Sequence, residues 1–459
     1  MRDAVDTLHR HARAIWDAAV IAARPQDLVR AAFGNPTLRL QEEVARARRI
    51  LVVGAGKAGA AMSAAVEEVL ADSIDRVEGI VNVPAECVRK LRAIKLHAAR
   101  PAGTNQPTAE GVAGTLEILK LAAAAGPEDL AICLLSGGGS ALFPAPVTGV
   151  TLEEKQRVTQ LLHACGATIN EMNTVRKHLS RSKGGQLARA FTGRVMVSLI
   201  ISDVIGDPLD VIASGPTSPD PTTFRDALAV LEKYRLIEGP GKGGKERVPP
   251  AVLRYLVEGL EGKVPETPKV PPGSIRNFVI GNNSKSLTAA HGRAEALGYR
   301  VVNLGAYIEG ETRQVAGVMA SLVRSIRADG WPAPAPVCLL SGGETTVTLA
   351  DSHGLGGRNQ EFVLAALVKL RQEGMHDVVL LSGGTDGEDG PTDAAGAFAD
   401  SDTFARAENQ GILPEDYLSR NDAYHFFEAT GSLLKTGLTQ TNVMDVRVIL
   451  VANGRAVSK

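Results

Sequence analysis

Ile50-Leu51-Val52-Val53-Gly54-Ala55-Gly56-Lys57-Ala58-Gly59 runs from a short apolar segment into three glycines, and an alanine-rich stretch follows to about Ala71. An apolar run of that length, closed by turn residues, predicts a buried strand, and the stretch after it a helix. Strand, glycine turn and helix make a βα unit. Further strands are expected at Gly79–Val83 and Leu130–Leu135, bracketing a helix at Thr108–Ala125, and the β-branched run Val195–Ile201 supplies another. Strands and helices that alternate in this way predict a parallel, doubly wound α/β sheet.

Leu130–Leu135 runs into Ser136-Gly137-Gly138-Gly139-Ser140, where glycines and hydroxyls suit a phosphate or carboxylate at a helix entrance. The pattern returns at Ser341-Gly342-Gly343-Glu344 and at Ser382-Gly383-Gly384-Thr385-Asp386, each after an apolar run. Anion sites at the carboxyl ends of strands are what open α/β sheets provide.

With 459 residues the chain exceeds the size of one growing core, so two domains are expected. Fifty Lys and Arg against fifty-one Asp and Glu remove the electrostatic case for nucleic acid or an anionic membrane and leave a small-molecule ligand. No run approaches the roughly 20 apolar residues of a membrane span, and acids among the first residues argue against a targeting peptide. Cys87, Cys133, Cys165 and Cys338 are too dispersed for a metal site and read as reduced thiols, so the expected address is the cytoplasm.

Residues 1–47 read as helices forming a cover. Thr151-Leu152-Glu153-Glu154 has the order of a capping box, predicting a helix that stops at Gly166. Residues 239–275 are rich in glycine and proline around one short helix, Pro250–Glu261, and mark a boundary. The expected division is an N-terminal Rossmann-like domain over 1–250, a linker over 251–275 and a C-terminal α/β domain over 276–459.

Several motifs carry chemistry. Gly54-x-Gly56-x-x-Gly59 has the spacing of a dinucleotide fingerprint, but no acid ends the second strand to hold a ribose, and Lys57 in the turn favours phosphate. Gly239-x4-Gly244-Lys245 resembles a Walker A loop; Glu246 replaces the hydroxyl residue and no strand precedes it, so it is rejected. Arg176, Lys177, His178, Arg181 and Lys183 form a basic cluster whose plain alternative is a solvated helix face. Arg358, where Gly356-Gly357 becomes a helix, is placed to neutralise charge on a transferring phosphoryl group. Residues 385–393 hold Asp386, Glu388, Asp389 and Asp393, suited to Mg²⁺ or a general base without EF-hand spacing. Asp203 and Asp207 form a second acidic strand end.

Together, Gly54-Ala-Gly-Lys57, Ser136-Gly-Gly-Gly-Ser140, Asn173-Thr-Val-Arg-Lys-His-Leu-Ser180 with Lys183-Gly-Gly, Ser202-Asp-Val-Ile-Gly-Asp207, Ala213-Ser-Gly-Pro-Thr217, Gly357-Arg-Asn-Gln-Glu361 and Gly384-Thr-Asp-Gly387 resemble the glycerate 2-kinases of the MOFRL type, in order along the chain. The resemblance implies two α/β domains with the site in their cleft, the MOFRL region at about 335–450. It also implies transfer of the γ-phosphoryl of ATP to the 2-hydroxyl of D-glycerate with Mg²⁺. Lys57 and Arg358 fall on the positions regarded as catalytic, and Asp386 is the choice for the base. Gly56, Ser136, Gly137, Gly138, Gly139, Ser140, Arg176, Lys183, Ser341 and Glu344 are assigned to substrate and phosphate, and Asp203 and Asp207 to the metal. Met444 departs from the asparagine expected in Thr441-Asn442-Val443-Met444-Asp445. The alternative function is an NAD(P)H-dependent hydroxypyruvate reductase, and a homodimer is left open.

Overall fold

The computed structural model describes residues 2–101, 104, 106–237, 247–270 and 274–453, and the stretch Gly239–Lys245 rejected above lies outside them. Contacts divide the chain into Pro25–Ile280 and a unit made of Met1–Arg24 with Gly281–Lys459.

The Pro25–Ile280 unit is built on β1 (Ile50–Ala55), β2 (Val77–Pro84), β3 (Ile94–Arg100), β4 (Leu130–Leu135), β5 (Val195–Ile201) and β6 (Ile275–Gly281). Their order is β3-β2-β1-β4-β5-β6, and β1 to β5 run parallel. Every residue of β1, β4 and β5 is buried, as expected of central parallel strands covered on both faces. The chain winds outward from β1 to β3 and then returns to β1's other side as β4. The carboxyl ends of β1 and β4 therefore flank the point where strand order reverses, the place where open α/β sheets bind ligands.

In the same unit, the helices Leu152–Ala164, Ile169–His178, Phe224–Lys233 and Pro250–Leu260 share a core of Val158, Leu162, Val175, Phe224, Leu231, Val252 and Leu256. Thr151 and Glu154 make the expected capping box, and Thr168 with Glu171 makes a second at the next helix. These two helices carry Lys155 and Arg176.

The other unit holds β7 (Arg300–Asn303), β8 (Val337–Gly343), β9 (Val378–Gly384), β10 (Gly396–Ala399), β11 (Leu433–Leu434) and β12 (Asp445–Val451), ordered β11-β10-β9-β12-β8-β7. This sheet is mixed. β7 and β8 are parallel, whereas β12 lies antiparallel between β8 and β9.

Three differences from the sequence reading follow. The helix Arg2–Ala22 groups with the 281–459 unit, packing on the helix Asn283–Ala296 and on β9 and β12, with Trp16 donating to the carbonyl of Gly383 at 3.2 Å. The strand at residue 275 adds to the first sheet, so the break between units falls at Gly281 rather than within 251–275. Gly342-Gly343 and Gly383-Gly384 lie inside β8 and β9, their ladders continuing to the last glycine, so neither repeats the open loop at Ser136.

All four cysteines are free thiols, and burial pushes Cys133 and Cys338 up to about 12. Among the described residues no helix is long and apolar enough to cross a membrane.

Candidate active site

At the carboxyl ends of β1 and β4 two glycine loops are knitted together. The amide of Gly56 donates to Asn82 O (3.2 Å), Lys57 to Gly137 O (2.8 Å), Ala58 to Ser136 Oγ (3.0 Å) and Gly59 to Gly56 O (3.0 Å). The donors a pyrophosphate would need at Gly54–Gly59 are thus already bonded within the protein. The glycines answer to packing instead: a Cβ on Gly54 would stand 2.0 Å from Leu134 O, and one on Gly56 2.0 Å from Ser136 Oγ. Gly56 thus acts as a spacer between the two loops. Gly56→Ala, at φ +150°, is expected to cost about 3 kcal/mol, the upper end for overpacking a core. The cost would be read as a lower urea midpoint at unchanged slope; a midpoint equal to wild type would refute the packing account.

The Ser136–Ser140 loop behaves differently. Gly138 takes φ +74°, and among the described residues no acceptor bonds the N–H of Gly137 or Gly138. The side chains of Lys57 and Arg100 flank this turn, at 3.4 Å (Cγ) and 3.9 Å (Nη2) from where a Cβ of Gly138 would be. Arg100 ends β3 and is only 5 % exposed. The sequence reading missed it because β3 carries Lys95 and His97 and does not look like a strand.

Ser140 is the hub of a cationic cluster. Its Oγ accepts from Arg176 Nη2 (2.6 Å) and Lys183 Nζ (3.0 Å) and shares a hydrogen bond with Ser214 Oγ (2.9 Å). Lys183 Nζ also donates to Ser140 O (2.6 Å) and Ser214 Oγ (3.4 Å), while Arg176 Nη1 and Ser214 Oγ both donate to Asn173 Oδ1 (3.4 and 3.3 Å). Lys155 Nζ donates to Leu179 O at 3.0 Å. Burial, reinforced by neighbouring positive charge, drives Lys183 well below the ordinary lysine range and Lys155 down to about 7. These cations line a cavity of about 580 Å³ together with Gln106, Pro107, Ala141, Gln156 and His163.

Ser214 is presented by an unusual backbone. Ala213, Ser214 and Gly215 all take left-handed φ (51°, 62° and 62°). Backbone bonds from Gly184 N to Ser214 O (2.9 Å) and Gly185 N to Gly215 O (2.7 Å) hold the turn. Buried Lys177 pairs with Asp210 (3.0 Å) and Asp220 (3.4 Å) on either side of it. Strain held by its surroundings is a mark of functional loops, yet no local sequence rule flags an alanine and a serine at positive φ.

In the 281–459 unit the centre is Arg358. Its guanidinium makes a two-point pair with Asp445 (Nε–Oδ2 2.7 Å, Nη2–Oδ1 2.9 Å), and Nη1 reaches Glu344 Oε1 at 2.9 Å. Asp445, fully buried, also accepts from Asn359 Nδ2 (2.9 Å) and Arg447 Nη2 (3.3 Å). It pairs in register with Gly343 and with Gly384, so the two Gly-Gly segments flank a carboxylate of the protein itself. Ser341 is buried in β8 opposite Arg447.

The acids of 385–393 disperse. Asp389, which burial pushes up to about 6, caps the helix Arg358–Leu370 by accepting from the amides of Asn359 (3.0 Å) and Gln360 (2.8 Å). Asp393 pairs with Lys435 (2.8 Å) at the surface. Asp386, half-buried, accepts from Glu388 N at 3.2 Å. Among the described residues no group of three or more His, Cys, Asp or Glu is spaced to hold a metal ion. Asp203 and Asp207 follow β5, next to β4, and both are half-buried. Two carboxylates suit magnesium when substrate phosphates supply further ligands, so these residues fit by donor type.

The family model of a domain of unknown function, DUF4147, matches residues 11–252, and that of the MOFRL family matches 337–445. A glycerate 2-kinase of Pyrococcus horikoshii is 39 % identical over 407 residues, covering 89 % of this chain and 88 % of that protein. A protein of Agrobacterium vitis whose name is that of a hydroxypyruvate reductase is 42 % identical, with 96 % and 93 % covered. The crystal structure of a glycerate kinase from Thermotoga maritima superposes with a TM-score of 0.84 at 36 % identity, covering 97 % of this chain and all of that one (100 %). These likenesses, on a doubly wound fold with a cationic strand-end cavity, define a class of α/β phosphotransferase. The chain belongs to the MOFRL-type glycerate kinase family.

Proposed function

We propose that this chain transfers the γ-phosphoryl group of ATP to the 2-hydroxyl of D-glycerate, giving 2-phosphoglycerate and ADP. The observation that carries the reading is the pair Arg176 and Lys183 on Ser140 at the switch point, with Lys155 lining the same cavity and Lys57 leaning on the same loop. Little covalent chemistry is asked of the protein in phosphoryl transfer; position and charge do the work. The glycerate oxygen bonds to the γ-phosphorus as the bond to the β,γ-bridging oxygen breaks. The hydroxyl proton passes to a carboxylate, for which Asp386 is the candidate. Lys57 and Arg358 are each a candidate to neutralise the charge of the transferring group. Magnesium, held by Asp203 and Asp207 with the nucleotide, would supply further neutralisation.

The reductase name of one relative draws no support from Gly54–Gly59, whose amides are bonded internally. Asn82, at the end of β2 where a ribose-binding acid would stand, donates instead to Gly111 O, Thr115 Oγ1 and Leu142 O. ³¹P NMR of a mixture of the protein, ATP, Mg²⁺ and D-glycerate tests the reading and is expected to show 2-phosphoglycerate. A 3-phospho product would overturn the regiochemistry, and hydroxypyruvate-dependent loss of NADH absorbance without ATP would overturn the kinase reading itself.

A further inference from the structure

Lys155, Arg176 and Lys183 line one cavity, and among the described residues the hydrogen-bond partners of all three are uncharged oxygens. Lys155 and Lys183 are 6 % and 1 % exposed. Buried charge without a counter-charge is costly, which is why both lysines are driven down, and an anion entering the cavity offsets that cost and holds them charged. The donors divide the labour. Lys183 directs its ammonium at three acceptors, Ser140 O, Ser140 Oγ and Ser214 Oγ, and so organises the hydroxyls. Lys155 makes one bond, to Leu179 O, and an ammonium has three donors. Arg176 makes two, to Ser140 and Asn173, of the five a guanidinium offers. Lys155 and Arg176 thus retain the donors that an incoming anion needs.

We propose that Lys155 and Arg176 bind the carboxylate of the acceptor substrate, with Lys183 fixing Ser140 and Ser214 beside it. The proposal rests on the phosphoryl-transfer reading and goes beyond it by naming the group held and a residue, Lys155, that no motif suggests. The choice of a carboxylate over nucleotide phosphates follows from the cavity's lining, which among the described residues contains no Asp or Glu. A magnesium-bound triphosphate takes one or two protein carboxylates with it; a carboxylate needs no metal and matches a guanidinium edge. The seat would also separate hydroxy acids from polyols of the same length, because a polyol leaves the cations unpaired.

Lys155→Met keeps the apolar stem and removes the charge. It is expected to raise KM for D-glycerate at least about tenfold, the loss of one charged hydrogen bond, with KM for ATP within about twofold of wild type. Lys155→Arg should recover most of the loss. Thr159→Glu is a second variant, on the cavity-lining face one turn along the same helix, and places a competing carboxylate beside Lys155. It too should raise KM for D-glycerate alone. An unchanged D-glycerate KM in both folded variants, or a rise in the ATP KM instead, overturns the proposal. Calorimetric titration of D-glycerate without nucleotide separates it from the kinase reading. Binding by wild type that is lost in Lys155→Met sustains the seat even if no phosphorylated product forms, whereas no binding by wild type overturns it.

Discussion

Lys57→Ala is expected to lower kcat by about 10²- to 10³-fold, the usual loss of one transition-state donor, with thermal unfolding unchanged. The position of the residue explains both halves of that result. Its backbone is locked, the amide bonded to Gly137 O at 2.8 Å, so the side chain leaves a fixed point at the end of β1 and lies along Gly138. Alanine keeps that amide and therefore keeps the joint between the two glycine loops. What it removes is a cation beside the loop whose Gly137 and Gly138 amides have no acceptor among the described residues. Lys57→Arg is expected to rescue only part of the rate, since a planar fork does not occupy the place of a point charge. Steady-state kinetics with D-glycerate and ATP, together with a melting curve, decide the matter. A turnover close to wild type in the alanine variant would remove Lys57 from the mechanism.

The two sheets were not equally legible in the sequence, and the reason is burial. β1, β4 and β5 are covered on both faces, so each is a continuous apolar run, and the expected limits of β4 and β5, Leu130–Leu135 and Val195–Ile201, agree with the structure to the residue. β3 has exposed and half-buried positions at Lys95 and His97 and escaped notice. In the other unit the apolar runs were visible, but a run does not state its direction, and the antiparallel course of β12 follows only from its pairing with β8 and β9. Repeated Ser-Gly-Gly signals misled for a related reason. At Ser136 the glycines leave the strand and open a helix, whereas at Ser341 and Ser382 they stay in the ladder, because Asn283, Trp16 and Glu388 crowd positions where only glycine fits.

The candidate site divides in the same way. Ser140, Arg176 and Lys183 were singled out by motif and lie in one hydrogen-bonded cluster. Lys155 was hidden because it follows Glu153 and Glu154 in a helix whose sequence suggests a solvated face; only the packing of that helix on Val175 and Leu179 buries it. Ser214 depends on a left-handed backbone, and Arg100 on the location of β3. Lys155 and Arg100 have no local signature, and the Ala213–Thr217 motif that holds Ser214 does not state which side chains it meets.

Arg358→Ala is expected to lower kcat by about 10²- to 10³-fold and, unlike Lys57→Ala, to destabilise the protein as well. Asp445 is fully buried and receives two of its hydrogen bonds from Arg358. Breaking a buried ion pair from one side costs about 3–5 kcal/mol, because a charge is left without its partner. Here the lower end is expected, since Asn359 at 2.9 Å and Arg447 at 3.3 Å remain. The double effect makes the variant ambiguous alone, and Asp445→Asn resolves it. That change also removes the pair's attraction, so its loss of stability should resemble that of Arg358→Ala, but it leaves the guanidinium in place, tied by Nη1 to Glu344. If Arg358 neutralises a transferring phosphoryl group, kcat measured on the folded fraction falls far more in Arg358→Ala than in Asp445→Asn. If Arg358 serves only to hold Asp445, the two variants lose stability alike and turn over at the same rate per folded molecule, and the charge-neutralising role is gone.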